Sequence, residues 1–577
     1  MSTHKNIDLV CVAVIIAAIL ITVLFMNGEA LGIQLVVDED SEQHSNSGYF
    51  TTNDLNGDWD TSGATELILQ GDSVRISGSG AYAYDGGVVI SSAGSYVISG
   101  TLTDGSITVD AEKNSKVALL LNGVDIYCSD DACIRVDTAD KVFITLASGS
   151  VNTLESGSQY SKTALDDGTD AVIFGHDDIT INGSGSLTVT ANYSHGIAGN
   201  DDLVITGGTI SVTAPADGIR ANDSLRICNA DITVNAGDDG IVVSKEESYL
   251  YIESGTFSIT SGDDAVHTAG DITIAGGSFI INAGDDAIHS DTAISISSGS
   301  ILIQSCYEGI EAVNIDISGG DIEIYPEDDG INANGGESGF GGMFDKILSP
   351  GFDSGEDTDD TVPQVSISGG SILIINSTAT DADGIDSNGS IYISGGDILI
   401  SLPASGSNSA LDYGSENQGV CEISGGRLIA CGSYSMAESM DSTSTQASVM
   451  YIVSGGVSAG TELTLTDAEG STLMDWTVPN SFSCAIISCP EIALGETYTL
   501  IIGDSYDEIT VSEVSASYGD AQSSMFGGTM NMGGLMNHGG RGDGHGGGGH
   551  GGGDGQPGGT QPGGTQPGDS SSPPPQT

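Results

Sequence analysis

The chain has 577 residues, of which 80 are acidic and 13 basic, so its formal net charge is −67. Only 16% of the residues are charged and 38% are hydrophobic, which is typical of a folded chain rather than a charge-rich disordered one. So few Lys and Arg residues exclude nucleic acid as a partner, because phosphate contacts need those side chains. A polyanion of this kind attracts cations and stays soluble by self-repulsion.

The N-terminal residues 1–30 contain an apolar run at 9–26 that has no charge and follows Lys5. The run is long enough to cross a bilayer and longer than the usual core of a signal peptide. We therefore expect an uncleaved single-pass anchor with the membrane as a partner, and a cleaved signal near Ala30 is the alternative. Either one places the protein at the extracellular face of the membrane or cell surface, or outside the cell.

Residues 31–64 are polar and are expected to be a linker. From 65 to 150, runs of β-branched residues alternate with Gly clusters, and Asn122-Gly123 is a strong turn signal. This pattern predicts an N-terminal β cap made of short strands.

The nine cysteines show no zinc-site spacing, since the chain has no C-x-x-C motif. Cys228 and Cys306 fall on predicted strands, where buried free thiols are expected. Three close pairs are open to disulfide formation in an oxidising compartment. These pairs are Cys128 with Cys133, Cys421 with Cys431, and Cys484 with Cys489.

Residues 151–435 repeat a turn in which an acid, often doubled, is followed by Gly or Ala and an aliphatic residue. The steps between the second acids are 22, 25, 22, 22 and 21 residues, then 54 across an insertion at 335–362. The copies are Asp217-Gly-Ile, Asp238-Asp239-Gly-Ile, Asp263-Asp264-Ala-Val, Asp285-Asp286-Ala-Ile, Glu308-Gly-Ile, Asp328-Asp329-Gly-Ile and Asp383-Gly-Ile.

Between these turns the apolar residues alternate with polar ones, as in Ile272-Thr-Ile-Ala-Gly-Gly-Ser-Phe-Ile-Ile, which predicts strands with one buried face. A unit of about 22 residues cannot bury that face alone, so the units must stack. The period is too short for a propeller blade. The sequence therefore predicts an all-β protein with a parallel β-helix (solenoid) of about 22-residue coils and β-strand caps at both ends.

The insertion 335–362 is Gly-rich and then acidic, and we expect it to project as a loop, either a disordered surface insertion or a lid that contacts a ligand. Residues 440–516 contain hairpin-like strands and are expected to form a small β domain. Residues 517–577 are rich in Gly, Pro and His, a composition typical of a flexible tail.

In stacked coils the second acids would lie above one another at about 4.8 Å, where like charges repel strongly. Hard oxygen ligands at this spacing suit Ca²⁺, which tolerates irregular coordination by six to eight oxygens. The alternative is that each Asp only stabilises its own turn. The predicted calcium ligands are Asp217, Asp238, Asp239, Asp263, Asp264, Asp285, Asp286, Glu308, Asp328, Asp329 and Asp383.

The residue three positions after each second acid is expected to form a second, outward-facing column. This column contains Arg220, Val242, His267, His289, Glu311, Asn332 and Asp386. Its two histidines are open to metal ligation or to surface hydrogen bonding. We expect ligand contacts from Arg220, Lys245, His267, His289, Glu311 and Asn332.

Three segments carry a family resemblance: Gly94–Gly105, Val117–Ile126 with Lys141–Ala147, and Asp178–Val189 with the Asp-Asp-Gly-Ile turns. Together they resemble a family of bacterial surface carbohydrate-binding proteins whose right-handed parallel β-helix is related to pectate lyases. The resemblance covers about 65–515. It implies calcium-supported binding of cellulose or acidic, pectin-like polysaccharide at a cell surface. The cysteine content and the insertion 335–362 depart from the family pattern.

Three hypotheses follow for the function. The first is a non-catalytic, calcium-dependent polysaccharide-binding protein, with sugar stacking on the few candidate tyrosines, Tyr193, Tyr249, Tyr251, Tyr307, Tyr325 and Tyr392. The second is a polysaccharide lyase, which needs a cationic base near calcium, for which Arg220 and Lys245 are the candidates. The third is a structural adhesin in which calcium only stiffens the solenoid.

Overall fold

A computed structural model describes residues 48–58, 61–84, 86–334, 362–378, 382–415 and 418–520. Within these ranges the protein is all-β, with 42 strands and a single short helix, α1, at Lys162–Asp166. Ser161 caps this helix by accepting a hydrogen bond from the Ala164 N–H. Of the strands, 38 join one large mixed sheet, and four form a separate antiparallel sheet.

The N-terminal strands precede the regular repeat and include two antiparallel pairs, β1 with β2 and β3 with β4. They are β1 Thr65–Gly71, β2 Val74–Ser77, β3 Ala81–Tyr84, β4 Gly87–Ile90, β5 Gly94–Leu102, β6 Ser106–Asp110, β7 Lys116–Cys128, β8 Ile134–Thr138, β9 Lys141–Leu146 and β10 Val151–Ser156.

The repeat contributes three strands per unit in its regular part. Its strands are β11 Ala171–Gly175, β12 Asp178–Gly183, β13 Ser186–Thr190, β14 His195–Gly199, β15 Asp202–Ile205, β16 Thr209–Ala214, β17 Ile219–Ala221, β18 Ser224–Ile227, β19 Ala230–Ala236, β20 Ile241–Val243, β21 Tyr249–Ile252, β22 Gly255–Thr260, β23 Val266–Thr268, β24 Asp271–Ile274, β25 Ser278–Asn282, β26 Ile288–Ile296, β27 Ser300–Cys306, β28 Ile310–Ile317, β29 Asp321–Pro326, β30 Ile331–Ala333, β31 Gln364–Ile367, β32 Ser371–Ile375, β33 Ile385–Ser387, β34 Ser390–Ser401 and β35 Cys421–Gly432.

The C-terminal strands close the large sheet and build the smaller one. They are β36 Ser448–Val457, β37 Thr461–Thr466, β38 Thr472–Val478, β39 Phe482–Ser488, β40 Thr497–Ile502, β41 Ser505–Thr510 and β42 Ser515–Gly519. The parallel series ends where β35 pairs antiparallel with β39. The smaller sheet has the order β38-β37-β40-β41.

In the regular part of the repeat each strand pairs in parallel with the strand three places further along the chain. The series β12, β15, β18, β21 and β24 stacks in this way, and equivalent aliphatic residues face each other across every pair. The first of these contacts is between Ile179 and Leu203, and the next is between Leu203 and Leu225. The sequence period is therefore also the spatial period of the sheet.

The apolar core follows from alternation along these strands. In β19, buried and exposed residues alternate at every position from Ala230 to Ala236. The buried members form one continuous cluster that runs from Leu67 to Ile486. Burying one Ile or Leu side chain contributes roughly 1.5–3 kcal/mol of stability. Stacking therefore buries the apolar face that a single 22-residue unit would leave exposed to water.

The small residue after each second acid is explained by close packing between neighbouring turns. A Cβ on Gly218 would lie 2.6 Å from the carbonyl oxygen of Gly240, and a Cβ on Gly240 would lie 2.5 Å from that of Ala265. The N–H groups of Gly218 and Gly240 donate to the carbonyl oxygens of Asp239 and Asp264, at 2.9 Å in both cases. Only a small residue fits this contact, which keeps consecutive acids in register.

Residues 48–58, predicted as part of a linker, instead pack against the strands, and we call them the N-terminal strap. The Asp54 side chain is fully buried and its Oδ1 lies 2.8 Å from Lys141 Nζ. Thr180 Oγ1 donates to the same carboxylate at 2.7 Å. Phe50 is also buried and packs with Tyr251. These contacts join the strap to three different stacked strands.

Several predicted segments lie outside the described residues, namely 1–30, most of the linker 31–64, the insertion at 335–361 and nearly all of the tail 517–577. Among the residues described, no helix has the length and apolar character needed to cross a bilayer. This finding contradicts the predicted membrane-anchored location. We withdraw the anchor and the membrane as a partner, and the apolar run at 9–26 that suggested them is itself outside the described ranges.

The disulfides considered from sequence do not form in this structure. The cysteines of the described ranges are free and buried in the sheet or its flanks, including both members of each of the three close pairs. Burial raises the pKa of the Cys128 thiol to about 11 and that of Cys484 to about 12. They are packing residues that stay protonated at neutral pH.

Candidate functional site

The second acids of the repeated turns lie above one another, and we call Asp217, Asp239, Asp264, Asp286, Glu308, Asp329 and Asp383 the acid column. Each is held by the strand that follows it, since these strands are paired in register along β17, β20, β23, β26, β28, β30 and β33. The ladder predicted from the sequence is therefore present as an arrangement of side chains.

One oxygen of most of these carboxylates accepts a backbone hydrogen bond from the next turn. The Asp264 N–H donates to Asp239 Oδ1 at 3.2 Å, the Asp286 N–H to Asp264 Oδ1 at 2.9 Å, and the Glu308 N–H to Asp286 Oδ1 at 3.3 Å. The same bond joins Asp383 N–H to Asp329 Oδ1 at 2.6 Å. Turn stabilisation, the alternative raised by the sequence, thus uses one oxygen and leaves the second for other partners.

The residues three positions after the acids form a parallel column, and we call Arg220, Val242, His267, His289, Glu311, Asn332 and Asp386 the outer column. Backbone pairs join each member to the next, from Arg220 with Val242 to Asn332 with Asp386. Five of the six predicted ligand-binding residues belong to it. The two columns share one face of the repeat.

Lys245 does not join this face. It lies just after β20, in the one repeat unit that is three residues longer than its neighbours, and its ammonium pairs with Asp223. Arg220 does join the face, because its Nη1 lies 3.0 Å from Asp217 Oδ2. Among the described residues of both columns, Arg220 is the one Lys or Arg side chain.

His195 occupies the position of the acid column one turn before Asp217, and the sequence reasoning missed it. Its Nδ1 accepts the Asp217 N–H at 3.2 Å, as the carboxylates do in later turns. Burial opposes ionisation of Asp217, but the neighbouring His195 and the charge of Arg220 lower its pKa overall. The segment Ser194-His195-Gly196-Ile197 carries the repeat pattern with His in place of the acid, which was the available signal.

At the centre of the face, His267 and His289 stack with ring centroids 4.8 Å apart and an interplanar angle of 21°. Burial by itself would lower the pKa of His267, but the nearby carboxylates of Asp239, Asp291 and Asp264 raise it to about 10. Asp291, also missed from the sequence, lies 3.6 Å from His289 Nε2. Both rings are therefore surrounded by carboxylates.

Beyond His289 the outer column has no basic member, and carboxylates crowd together from Asp286 onward. Burial, with the nearby charges of Glu311 and Glu308, raises the pKa of Asp286 to about 11. Burial and neighbouring carboxylates likewise raise the pKa of Glu308 and of Asp383 to about 9. The protein groups alone thus leave this part of the face short of positive charge.

The first acids of the doubled pairs are more exposed and lie beside the acid column. Three all-carboxylate groups have oxygens that lie within 4.8 Å of one another. Asp263 belongs to two of them, and Asp328 lies next to the exposed Tyr307, whose pKa it raises. The groups are Asp238 with Asp239 and Asp263, Asp263 with Asp264 and Asp285, and Asp383 with Asp386 and Asp412.

Asp412 was not predicted, because the turn that contains it has Ser409 in place of the acid. The Ser409 N–H donates to Asp383 Oδ1 at 2.6 Å, so the turn still continues the acid column.

The Asn332 side chain has an unpaired oxygen. Its Oδ1 is buried without a hydrogen-bond partner, while its Nδ2 donates to Glu308 at 2.7 Å. An unpaired buried acceptor among carboxylates calls for a cation or other donor.

Comparisons with known proteins are consistent with the resemblance seen in the sequence. The family model described as "Carbohydrate-binding domain-containing protein" matches residues 84–349. A curated protein of the same description from Acetivibrio thermocellus is 44% identical over 128 residues, which are 22% of this chain and 45% of the relative. The alignment therefore spans less than half of the relative's own length.

Among solved structures, a gadolinium derivative of the polysaccharide lyase-like protein from C. thermocellum is 33% identical to this chain. The match covers 44% of this chain and 96% of that one, with a TM-score of 0.35. The family match takes in the turns from Asp217 to Asp329 and the outer column from Arg220 to Asn332. Residues 84–349 are thus similar to the family of carbohydrate-binding domain-containing proteins, and the curated relative has the same description.

Proposed function

We propose that this protein binds polysaccharide in a calcium-dependent way, through the face formed by the acid column and the outer column. The carbohydrate-binding description of the matching family model and of the curated relative supports the ligand class. The crowding of carboxylates on that face supports the cation, and it is the observation on which the proposal mainly rests. The polysaccharide is acidic and pectin-like, or cellulosic.

We further propose that residues 151–435 form a right-handed parallel β-helix. The support is the succession of parallel, in-register pairs between strands three apart, together with a core that continues through all the stacked units. Such a solenoid presents equivalent side chains at about 4.8 Å along its axis. A long, regular ligand can then contact several turns in the same way.

The residues of the face fit calcium by their chemistry. Ca²⁺ prefers six to eight oxygens at about 2.3–2.6 Å, and the group of Asp238, Asp239 and Asp263 offers only oxygens, mutually within 4.8 Å. The group around Asp383 does the same. The unpaired Oδ1 of Asn332 adds a neutral oxygen acceptor beside Glu308. Bound calcium would replace the protons that these carboxylates otherwise retain.

A calcium ion on this face would also explain how a polyanionic protein can bind an acidic sugar chain. The net charge of −67 repels a polyuronate, whereas a dication bound between carboxylates reverses the local charge. Tyr307, which is exposed and immediately precedes Glu308, offers a ring for stacking on a sugar. Neutral cellulosic chains would rely more on such stacking and less on calcium.

Calorimetric titration with polygalacturonate tests the proposal on variants of the face. Asp263→Asn removes a charge shared by two carboxylate groups and should weaken binding in Ca²⁺ by about 10-fold or more, as expected for loss of a metal ligand. Asp231→Asn is the matched control, because Asp231 is exposed on β19 outside both columns. Equal binding by the wild type and both variants would refute the assigned site.

Lyase activity is a second candidate because Arg220 lies on the calcium-binding face, the position in which a base would act on a uronate. Its guanidinium is, however, paired with Asp217 at 3.0 Å. Ultraviolet absorbance of the unsaturated product would reveal the reaction, and Arg220→Ala should abolish it. A melting temperature that rises with Ca²⁺ in a protein that binds no glycan would instead support a structural adhesin.

A further inference from the structure

The centre of the acidic face differs from its other parts because it combines imidazole nitrogens with carboxylate oxygens. His267 and His289 occupy consecutive positions of the outer column and are paired in register. Their stacking places both Nδ1 atoms on the side of the acid column, where Asp264 projects between them. Asp264 is buried, and its Oδ1 is already committed to the Asp286 N–H at 2.9 Å.

The remaining oxygen of Asp264 completes a compact set of three donor atoms. Its Oδ2 lies 3.6 Å from His267 Nδ1 and 3.2 Å from His289 Nδ1. All three atoms lie within 4.8 Å of one another. In a tetrahedral zinc site with bonds of about 2.0–2.1 Å, neighbouring ligand atoms are about 3.3 Å apart. The two measured distances lie on either side of that value.

One further carboxylate, that of Asp291, lies beside the outer nitrogens of both rings. Asp291 Oδ1 lies 3.8 Å from His267 Nε2 and 3.6 Å from His289 Nε2. His267 Nε2 is buried and makes no hydrogen bond. A carboxylate behind a metal-bound imidazole fixes the ring orientation and increases the basicity of the ligating nitrogen. Asp291 stands in that position for both histidines.

We propose that Asp264, His267 and His289 form a binding site for a divalent transition metal, with zinc as its natural class of ion. Two imidazoles and one carboxylate are ligands that such metals prefer, whereas calcium selects oxygen. The site is thus separate in chemistry from the carboxylate groups around Asp238 and Asp383. Three protein ligands leave a fourth position on the exposed face of the repeat, open to water or to an oxygen of a bound molecule.

The simplest competing account is that the two rings are only protonated counter-ions of the acid column. Two stacked imidazolium rings 4.8 Å apart repel each other, whereas one dication held between both Nδ1 atoms and Asp264 satisfies the same carboxylates without that repulsion. The two accounts differ in a measurable way, because only the metal site gives ligand-field absorption with Co²⁺.

The test is a Co²⁺ titration of the full chain in excess Ca²⁺, followed by visible absorption and by displacement with Zn²⁺. His538, His545 and His550 are replaced by Gln in every protein, so that the tail adds no signal. We expect about one Co²⁺ per chain, with bands typical of four-coordinate nitrogen and oxygen ligation, displaced by Zn²⁺. The excess Ca²⁺ keeps the all-oxygen groups around Asp238 and Asp383 from contributing.

Variants then assign the ligands. His267→Gln and His289→Gln should each lower the Co²⁺ affinity by at least about 10-fold, and Asp291→Asn by about 10- to 100-fold. His176→Gln is the matched control, because His176 contacts Asn200 outside both columns. Far-ultraviolet circular dichroism checks that each variant is folded. The proposal is overturned if the wild type gives no ligand-field bands, or if the two column histidines can be replaced without effect.

Discussion

The buried pair of Asp54 and Lys141 gives the sharpest prediction about stability. Asp54 is fully buried and the Lys141 side chain is 10% exposed, with 2.8 Å between Oδ1 and Nζ. Asp54 also accepts hydrogen bonds from the Thr51 N–H at 3.0 Å and from Thr180 Oγ1 at 2.7 Å. Replacing Asp54 by Ala leaves the lysine buried without its counter-charge and breaks these bonds.

Breaking a buried ion pair from one side typically costs about 3–5 kcal/mol. The strap is a peripheral segment and can detach, which returns Lys141 to water. The free energy of this detachment therefore sets the upper limit of the loss of stability. Asp54→Ala should therefore destabilise the protein by about 3 kcal/mol and release residues 48–58. Removing both charges in Asp54→Ala with Lys141→Met should recover part of the loss, because no charge is then left unpaired.

Denaturant unfolding measures the free energy, and hydrogen exchange measures protection in the strap and in β9. Arg75→Ala is the control, since Arg75 lies in β2, away from the strap contacts. A loss below about 1 kcal/mol for Asp54→Ala, with unchanged exchange in residues 48–58, would refute the reasoning, because that is the range of an exposed pair.

Three further predictions concern the acid column and the core. In chelator, the melting temperature should fall as pH rises from about 4 to 9. The reason is that the pKa values of Glu308 and Asp383 are raised, so the folded state holds protons that the unfolded chain has lost. A melting temperature that rises over this range would contradict the crowding of carboxylates in the acid column. Excess Ca²⁺ should remove most of this slope, and an unchanged slope would exclude calcium from the column. Phe279→Ala should lower the free energy of unfolding by about 3–5 kcal/mol, because Phe279 is buried and stacks on Phe257 with ring centroids 4.4 Å apart. Ile280→Ala is the control, since Ile280 is exposed, and should change stability by less than about 0.5 kcal/mol. Similar losses for both variants in denaturant unfolding would contradict the assignment of Phe279 to the core.

The register of the columns could be predicted from the sequence because stacked parallel strands repeat their side-chain positions at the sequence period. Once Asp239 and Asp264 are aligned as equivalents, His267 must follow Val242 in the outer column, and the structure pairs these two residues. The outward direction of the residues three positions after the acids also follows from the alternation along the strands. All-β architecture follows from the same pattern.

Other features depend on contacts that no local pattern encodes. Lys245 was placed on the wrong face: it lies six positions after Asp239, just as Asp223 lies six positions after Asp217, and its ammonium pairs with Asp223 in the neighbouring turn. His195 was missed because the pattern was defined by acids, whereas the backbone hydrogen bond needs only an acceptor, which Nδ1 also provides. The strap was predicted as a linker because its few apolar residues have no period, and its docking depends on Lys141 and Thr180.

The central claim is that the acidic face binds polysaccharide through bound calcium. A glycan array that contains polygalacturonate, cellulose fragments and neutral plant polysaccharides, probed once in Ca²⁺ and once in chelator, tests it most directly. We predict signals on the acidic glycans that require Ca²⁺ and disappear in chelator. Equal signals under both conditions, or none on any glycan in Ca²⁺, would contradict the account.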